Sequence, residues 1–199
     1  RSFTVRPPSG KKTAALSISG QAAIEELFLL RFPTSMCAYL YKTDIAKKVQ
    51  LSEDVHFFED FEFNFNYLQL CNVVALCDEV LYCYRNNSMS INKQQINEKQ
   101  FSCLKLCEKK VSLERLGKVA QKKFFFFKAH CLISLILSYA RSGDSKRVEY
   151  KLRLKTVVGD SLRYILFSRY VPLTYKSLLI IFSASPSFAV GTIRMVKRG

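Results

Sequence analysis

The sequence has no tryptophan, no Cys-x-x-Cys pair, no Gly-rich phosphate loop and no Asp-x-Asp, and only two of its 199 residues are histidine. Each absence removes a class of chemistry. Lacking a Gly-rich loop, the chain shows no sign of cradling a nucleotide's phosphates itself. His56 and His130 are too few for a Ser/His/Asp hydrolase: His130 lies in an apolar run and no nucleophile elbow surrounds any serine. The seven cysteines have no partner spacing for a tetrahedral metal site and sit mostly among apolar neighbours, so they read as buried, reduced thiols of a cytoplasmic protein. No apolar run reaches the ~20 residues that a membrane span needs. A secretory signal is also missing from the start, Arg1-Ser2-Phe3-Thr4 followed by Pro7-Pro8, and so is an initiating Met. The chain is expected to begin inside a longer protein.

What is present is unevenly distributed. Residues 1–90 hold 9 Lys and Arg against 10 Asp and Glu, a net of −1, whereas residues 91–199 hold 22 against 6, a net of +16. A basic half of this kind suits an anionic membrane surface, nucleic acid or a phosphate-bearing substrate, or is simply a solvated face. Nucleic acid is the weaker partner, because the basic residues alternate with long apolar runs and are not gathered with stacking aromatics.

Apolar periodicity predicts a helix after Ser19, carried by Ile24, Leu27, Phe28 and Arg31 and ended by Phe32-Pro33. Met36 to Tyr41 suits a short buried strand, and Asp44 could cap a short helix running to Val49. Residues 50–57 read as an irregular, acidic connection. Phe58, Phe61, Phe65 and Leu68 recur at helical spacing, predicting one apolar face on a helix over Phe58–Cys71. Two short strands follow, Val73–Leu76 and Val80–Tyr84, and then a polar loop. Beyond Ile91 helical spacing dominates, with breaks expected near Gly117, Ser142-Gly143, Gly159-Asp160 and Pro172. Phe124–Ala140, which contains Lys128 and His130, reads equally as a buried helix or a membrane-surface one. Leu178–Val190, interrupted by Pro186, reads as membrane-facing.

Chemistry is densest between Phe57 and Ser90. Glu59, Asp60 and Glu62 open an aromatic helix, where the dipole and free amide groups favour carboxylates in any protein. Asp60, fixed on a rigid element, could also take a proton from an attacking hydroxyl, with Glu59 orienting a sugar hydroxyl or a backbone group and His56 close by. Tyr82 and Tyr84 would share one strand face, and the planar fork of Arg85 could hold a phosphate or a carboxylate. Ser88, Asn86 and Asn87 suit sugar hydroxyls as well as they suit a loop.

The stretch Phe57-Phe58-Glu59-Asp60-Phe61-Glu62-Phe63 resembles the Glu-Asp signature of family 2 glycosyltransferases of the bacterial capsule and exopolysaccharide type. Leu81-Tyr82-Cys83-Tyr84-Arg85-Asn86-Asn87-Ser88-Met89-Ser90 is similar to the Tyr-x-Tyr-Arg segment and polar loop that follow it there. Tyr39-Leu40-Tyr41-Lys42-Thr43-Asp44 resembles the apolar strand and short helix that precede it. Order and spacing agree over residues 19–92, although Cys37 and Tyr39 stand where the family usually has Trp and Lys. The resemblance implies an α/β fold: a truncated GT-A-like acceptor half with a few short strands (residues 1–92), followed by a mostly α-helical, basic region (residues 93–199). It implies inverting transfer from a nucleotide-sugar donor to a saccharide or lipid-linked acceptor, with Asp60 as general base and Glu59, His56, Tyr82, Tyr84, Arg85 and Ser88 around the acceptor. The donor and its divalent metal, Mg or Mn, would be held by a nucleotide-binding half upstream, so this chain alone would bind no metal and be inactive. Its expected place is the cytoplasm, peripheral on the inner face of the membrane. The competing reading is a non-catalytic module that binds anionic membrane or nucleic acid through its basic helices.

Overall fold

The computed structural model describes residues 16–77, 82, 96–108, 116–142 and 147–196. A small two-stranded antiparallel sheet region comes first and an extensive helical region follows. Strand β1 (Leu16–Ser19) pairs with β2 (Val73–Leu76), Leu16 opposite Leu76 and Ser19 opposite Val73. The residues between them form α1 (Gly20–Phe28), a 3-10 turn (Met36–Ala38), α2 (Thr43–Ala46) and α3 (Glu59–Leu68). Helices α4 (Glu98–Phe101), α5 (Cys103–Glu108), α6 (Gly117–Arg141), α7 (Arg147–Phe167), α8 (Leu173–Ala184) and α9 (Pro186–Val196) complete the described chain.

Helix α1 starts where Ser19 Oγ accepts from Ala22 N at 3.1 Å, satisfying one of the amides that a first turn leaves free. Its end falls before Phe32-Pro33. Leu30 enters the left-handed region (φ 55°), Leu30 N donates to Leu27 O, and Arg31 N donates to Glu26 O. That pair of bonds is a Schellman closure, here with leucine where glycine is usual. Gly20 is required by close approach: a Cβ there would lie 1.9 Å from Cys71 O. It lets the start of α1 pass directly against the end of α3.

Three expectations about local structure are corrected. Met36–Tyr41 is no buried strand. It is the 3-10 turn followed by extended chain, with Leu40 97% exposed, because it crosses the molecule's edge and has no strand beside it. Asp44 sits in the first turn of α2, whose N-cap is Lys42, and the helix stops at Ala46 before reaching Val49. Gly159-Asp160 does not break α7. Tyr150, Leu154, Val158, Ser161 and Ile165 form one buried stripe, and the pair lies on the exposed face, where an interior glycine costs about 1 kcal/mol and packing repays it. Pro172 and Ser142 do mark helix ends. The expected strand Val80–Tyr84 lies outside the described residues apart from Tyr82, which stands outside any strand.

The core is an aromatic seam along α6. Four consecutive phenylalanines advance about 100° each around the helix, so each meets a different neighbour. Phe124 stands edge-on to Phe28 of α1 at 5.1 Å between ring centroids, and Phe127 stacks on Phe61 of α3 at 3.6 Å. Phe125 stacks on Tyr164 of α7 and Phe126 on Tyr175 of α8, both at 5.8 Å. Helix α6 is long and apolar enough to cross a membrane, but 61% of its most apolar window is buried inside this protein. Of the two readings left open for Phe124–Ala140, the core helix is the one observed.

One ion pair pins α6 to α1. Lys123 Nζ lies 2.7 Å from Glu25 Oε2 and 3.5 Å from Glu26 Oε1, with the lysine and Glu25 side chains less than one-fifth exposed. Burial by itself lowers the lysine's pKa and is the largest single influence, but the bonds and charges of Glu25 and Glu26 together raise it above 10.5. A folded-state value above the unfolded one stabilises fully below pH 10.5 and is lost as pH rises past the folded value. Lys123→Met should cost about 1–3 kcal/mol by leaving the half-buried Glu25 carboxylate without its cation. In urea melts the variant should also lose the wild type's extra decline in stability above pH 10.5.

Candidate functional site

Helix α3 is buried almost all round, and its faces have different tasks. Phe61, Phe65 and Leu68 turn toward α1 and α6. Phe58, expected to open that apolar face, precedes the helix in the left-handed region (φ 65°) and packs edge-on to Phe127 and His130. A second, polar stripe was not anticipated. Asp60, Asn64 and Tyr67, spaced i, i+4 and i+7, all reach the segment between Thr34 and Lys42. Asp60 Oδ2 accepts from Met36 N at 3.2 Å. Asn64 donates to Thr34 O at 2.9 Å and accepts from the Tyr41 hydroxyl. The Tyr67 hydroxyl accepts from Lys42 N at 2.8 Å.

Those bonds tie α3 to the segment that holds Tyr39–Lys42, and Tyr41 stands edge-on to Phe63, a contact between two of the three stretches singled out in the sequence. The irregular backbone of residues 34–42 has no strand partner, and α3 supplies it with side chains as acceptors and donors. Tyr39 stacks on Tyr41 at 5.8 Å and donates to Pro33 O at 2.7 Å. Burial pushes the Tyr39 phenol well above its ordinary value. The Tyr41 phenol is raised likewise, first by burial and then by the neighbouring Tyr39 and Asp60. Both are therefore neutral hydrogen-bonding groups at physiological pH.

Asp60 is half-buried, with one oxygen on the Met36 amide and the other making no hydrogen bond with the described residues. Its carboxylate anchors the turn through that one oxygen. Glu59 is the first residue of α3 and half-exposed. His56 is exposed, and its backbone N–H donates to Ser102 Oγ at 2.8 Å, tying the approach to α3 onto the α4–α5 junction. Tyr82 is half-exposed at the surface. Tyr84, Arg85 and Ser88 lie outside the described residues, as do Asn86 and Asn87. The structure thus brings Asp60 together with Tyr41 and the 34–42 segment, and places Glu59 beside Asp60 at the helix start.

The protein matches no protein-family model, no curated protein and no solved structure. What the site can do therefore rests on its own geometry and on the resemblance carried by its residues.

Asn64 and Tyr67 were missed in the sequence, although a polar stripe in so aromatic a helix was a usable signal. The thiols also sort differently than expected. Cys103, Cys107 and Cys131 are buried, Cys71 is half-buried, and Cys37 and Cys77 are exposed. The three buried ones are neighbours, and burial holds the Cys131 thiol far above its ordinary value, with Cys103 and Cys107 beside it acting in the same direction. Cys131 therefore stays a protonated, apolar packing group. Among the described residues no group of three or more His, Cys, Asp or Glu is placed to hold a metal ion. His130, set aside in the sequence, pairs its Nδ1 with the Tyr175 hydroxyl at 3.1 Å, and desolvation lowers its pKa, keeping the ring neutral.

Proposed function

We propose that this chain is the acceptor-side portion of an inverting family 2 glycosyltransferase of GT-A type. The observation that carries the reading is the docking of α3, whose first turn holds Asp60, on the 34–42 segment: Asp60 bonds Met36, and Asn64 and Tyr67 bond Tyr41 and Lys42. Two motifs that the resemblance links only in sequence touch here, Tyr41 standing edge-on to Phe63 at 5.4 Å between ring centroids, and Asp60 bonds the same segment at Met36. In the reaction, the acceptor hydroxyl would lose its proton to Asp60 as its oxygen bonds to the sugar's anomeric carbon. The bond from that carbon to the nucleoside diphosphate would break on the opposite face, inverting the centre. Glu59 would orient an acceptor hydroxyl, with His56, Tyr82, Tyr84, Arg85 and Ser88 around the saccharide or lipid-linked acceptor.

A nucleotide sugar and its Mg or Mn would be bound upstream of this chain. Among the described residues no group of three or more His, Cys, Asp or Glu is placed to hold that metal. The protein would work in the cytoplasm, peripheral on the inner membrane face. A second reading, a non-catalytic module on anionic membrane, draws on the exposed apolar residues and positive charge of the last three helices. The discriminating experiment gives the full-length protein a panel of nucleotide sugars with saccharide and lipid-linked acceptors, and follows nucleotide release. Acceptor-dependent release with one donor supports the transferase. Silence with every donor, in a protein that still sediments with vesicles, leaves the module.

A further inference from the structure

Among the described residues sixteen large hydrophobic side chains are exposed, and nine of them lie on α7, α8 and α9. On the last two helices they are ordered. In α8, Leu173, Ile180 and Ala184 recur at i, i+7 and i+11, joined by Ile181, while Leu179 and Phe182 face the core. Along α9, Phe188 and Met195 recur at i and i+7, while Ala189 and Val190 face the core. Only Ser185 separates the two helices. Each helix is thus apolar on both sides, one side packed on the protein and the other uncovered.

The uncovered side continues into the α7–α8 turn. Phe167 is 91% exposed and Leu173 is 77% exposed, and both are flanked by Arg163, Arg169 and Lys176. Residues 147–196 carry eight Lys and Arg against two acidic residues, Glu149 and Asp160. Apolar side chains rimmed by long basic ones fit a lipid surface better than a second protein's core, because the stems lie along the acyl boundary while the charges meet headgroups.

We propose that α8, α9 and the turn before α8 form the membrane-contacting surface, docking on an anionic leaflet. The insertion is carried by Phe167, Leu173, Ile180, Ile181, Phe188 and Met195, with Arg163, Arg169 and Lys176 on the headgroups. Helix α6, the most membrane-like segment by composition, takes no part, since its apolar faces are covered by α1, α3, α7 and α8. The proposal specifies the peripheral placement given above and is independent of the transferase chemistry.

The chain's lack of tryptophan makes the test direct. Leu173→Trp and Phe188→Trp each introduce a single fluorophore on the surface, and Val73→Trp introduces one on exposed β2 as a control. With vesicles of equal parts phosphatidylglycerol and phosphatidylcholine, the first two should shift to the blue and be quenched by brominated lipid, while the control does neither. Arg169→Gln with Lys176→Gln should weaken binding roughly 30-fold, about 5-fold per charge near the surface, with a smaller effect at high salt. Leu173→Asp with Phe188→Asp should abolish binding at any salt without loss of helical circular dichroism. An equal shift of Val73→Trp, or no shift at either test position, overturns the proposal. So does a lipid-free shift accompanied by the sedimentation mass of two copies, which would make a second chain the occupant. None of these readouts requires sugar transfer, so failure here leaves the transferase reading standing.

Discussion

Asp60→Asn in the full-length protein is expected to lower kcat for sugar transfer by about 10²–10⁴-fold, with the donor's KM and the melting temperature nearly unchanged. Asparagine can still accept from Met36 N through its amide oxygen, so the anchor of the 34–42 segment survives while the proton acceptor is lost. Asp60→Ala removes both. It should be equally inactive and also less stable by about 1 kcal/mol, the usual worth of one such hydrogen bond. The two variants therefore separate anchoring, which the Met36 bond shows, from the catalysis proposed for the same carboxylate. An Asp60→Asn enzyme retaining most of its turnover would leave Asp60 as an anchor only and end its assignment as base.

Phe127→Ala should cost about 3–5 kcal/mol, the range for emptying a fully buried aromatic site. Phe127 has 0% exposure and its ring lies nearly parallel to that of Phe61, at 3° between planes. It also meets Phe58, the residue that leads into Glu59-Asp60. Domains of this size hold about 5–15 kcal/mol in total, and each kcal/mol shifts the midpoint by roughly 2–4 °C, so the variant should melt about 6–20 °C lower. Phe125→Ala, which removes a half-buried ring from Tyr164, should cost nearer 1 kcal/mol. Urea melts of the two would measure how far the seam depends on the rings that cross between the acidic and basic portions. Equal, small losses would mean that the seam does not hold them together.

Much of the local structure was legible because it depends on near neighbours. The helices at Gly20–Phe28 and Glu59–Leu68 follow from apolar spacing, and β2 from the short apolar run Val73–Leu76. Errors occurred where distant groups decide. Met36–Tyr41 is apolar enough for a strand, but a strand needs a partner ladder, and α3 offers side chains instead. Gly159-Asp160 looks like a break until α7's buried stripe is seen to pass on its other face. Phe124–Ala140 was evenly balanced between core and membrane surface because composition measures apolarity and not what covers it.

By itself the sequence determined the chemistry available: a carboxylate pair at a helix start, an aromatic complement without tryptophan, and a basic second half. The tertiary structure decided where each is used. It set one oxygen of Asp60 on a backbone amide twenty-four residues away, turned four adjacent phenylalanines to four different neighbours, and covered α6 while leaving one side of α8 and of α9 bare. The reason is physical. Apolarity and charge belong to a residue, whereas burial and hydrogen-bond partnership belong to pairs of residues that only folding brings together.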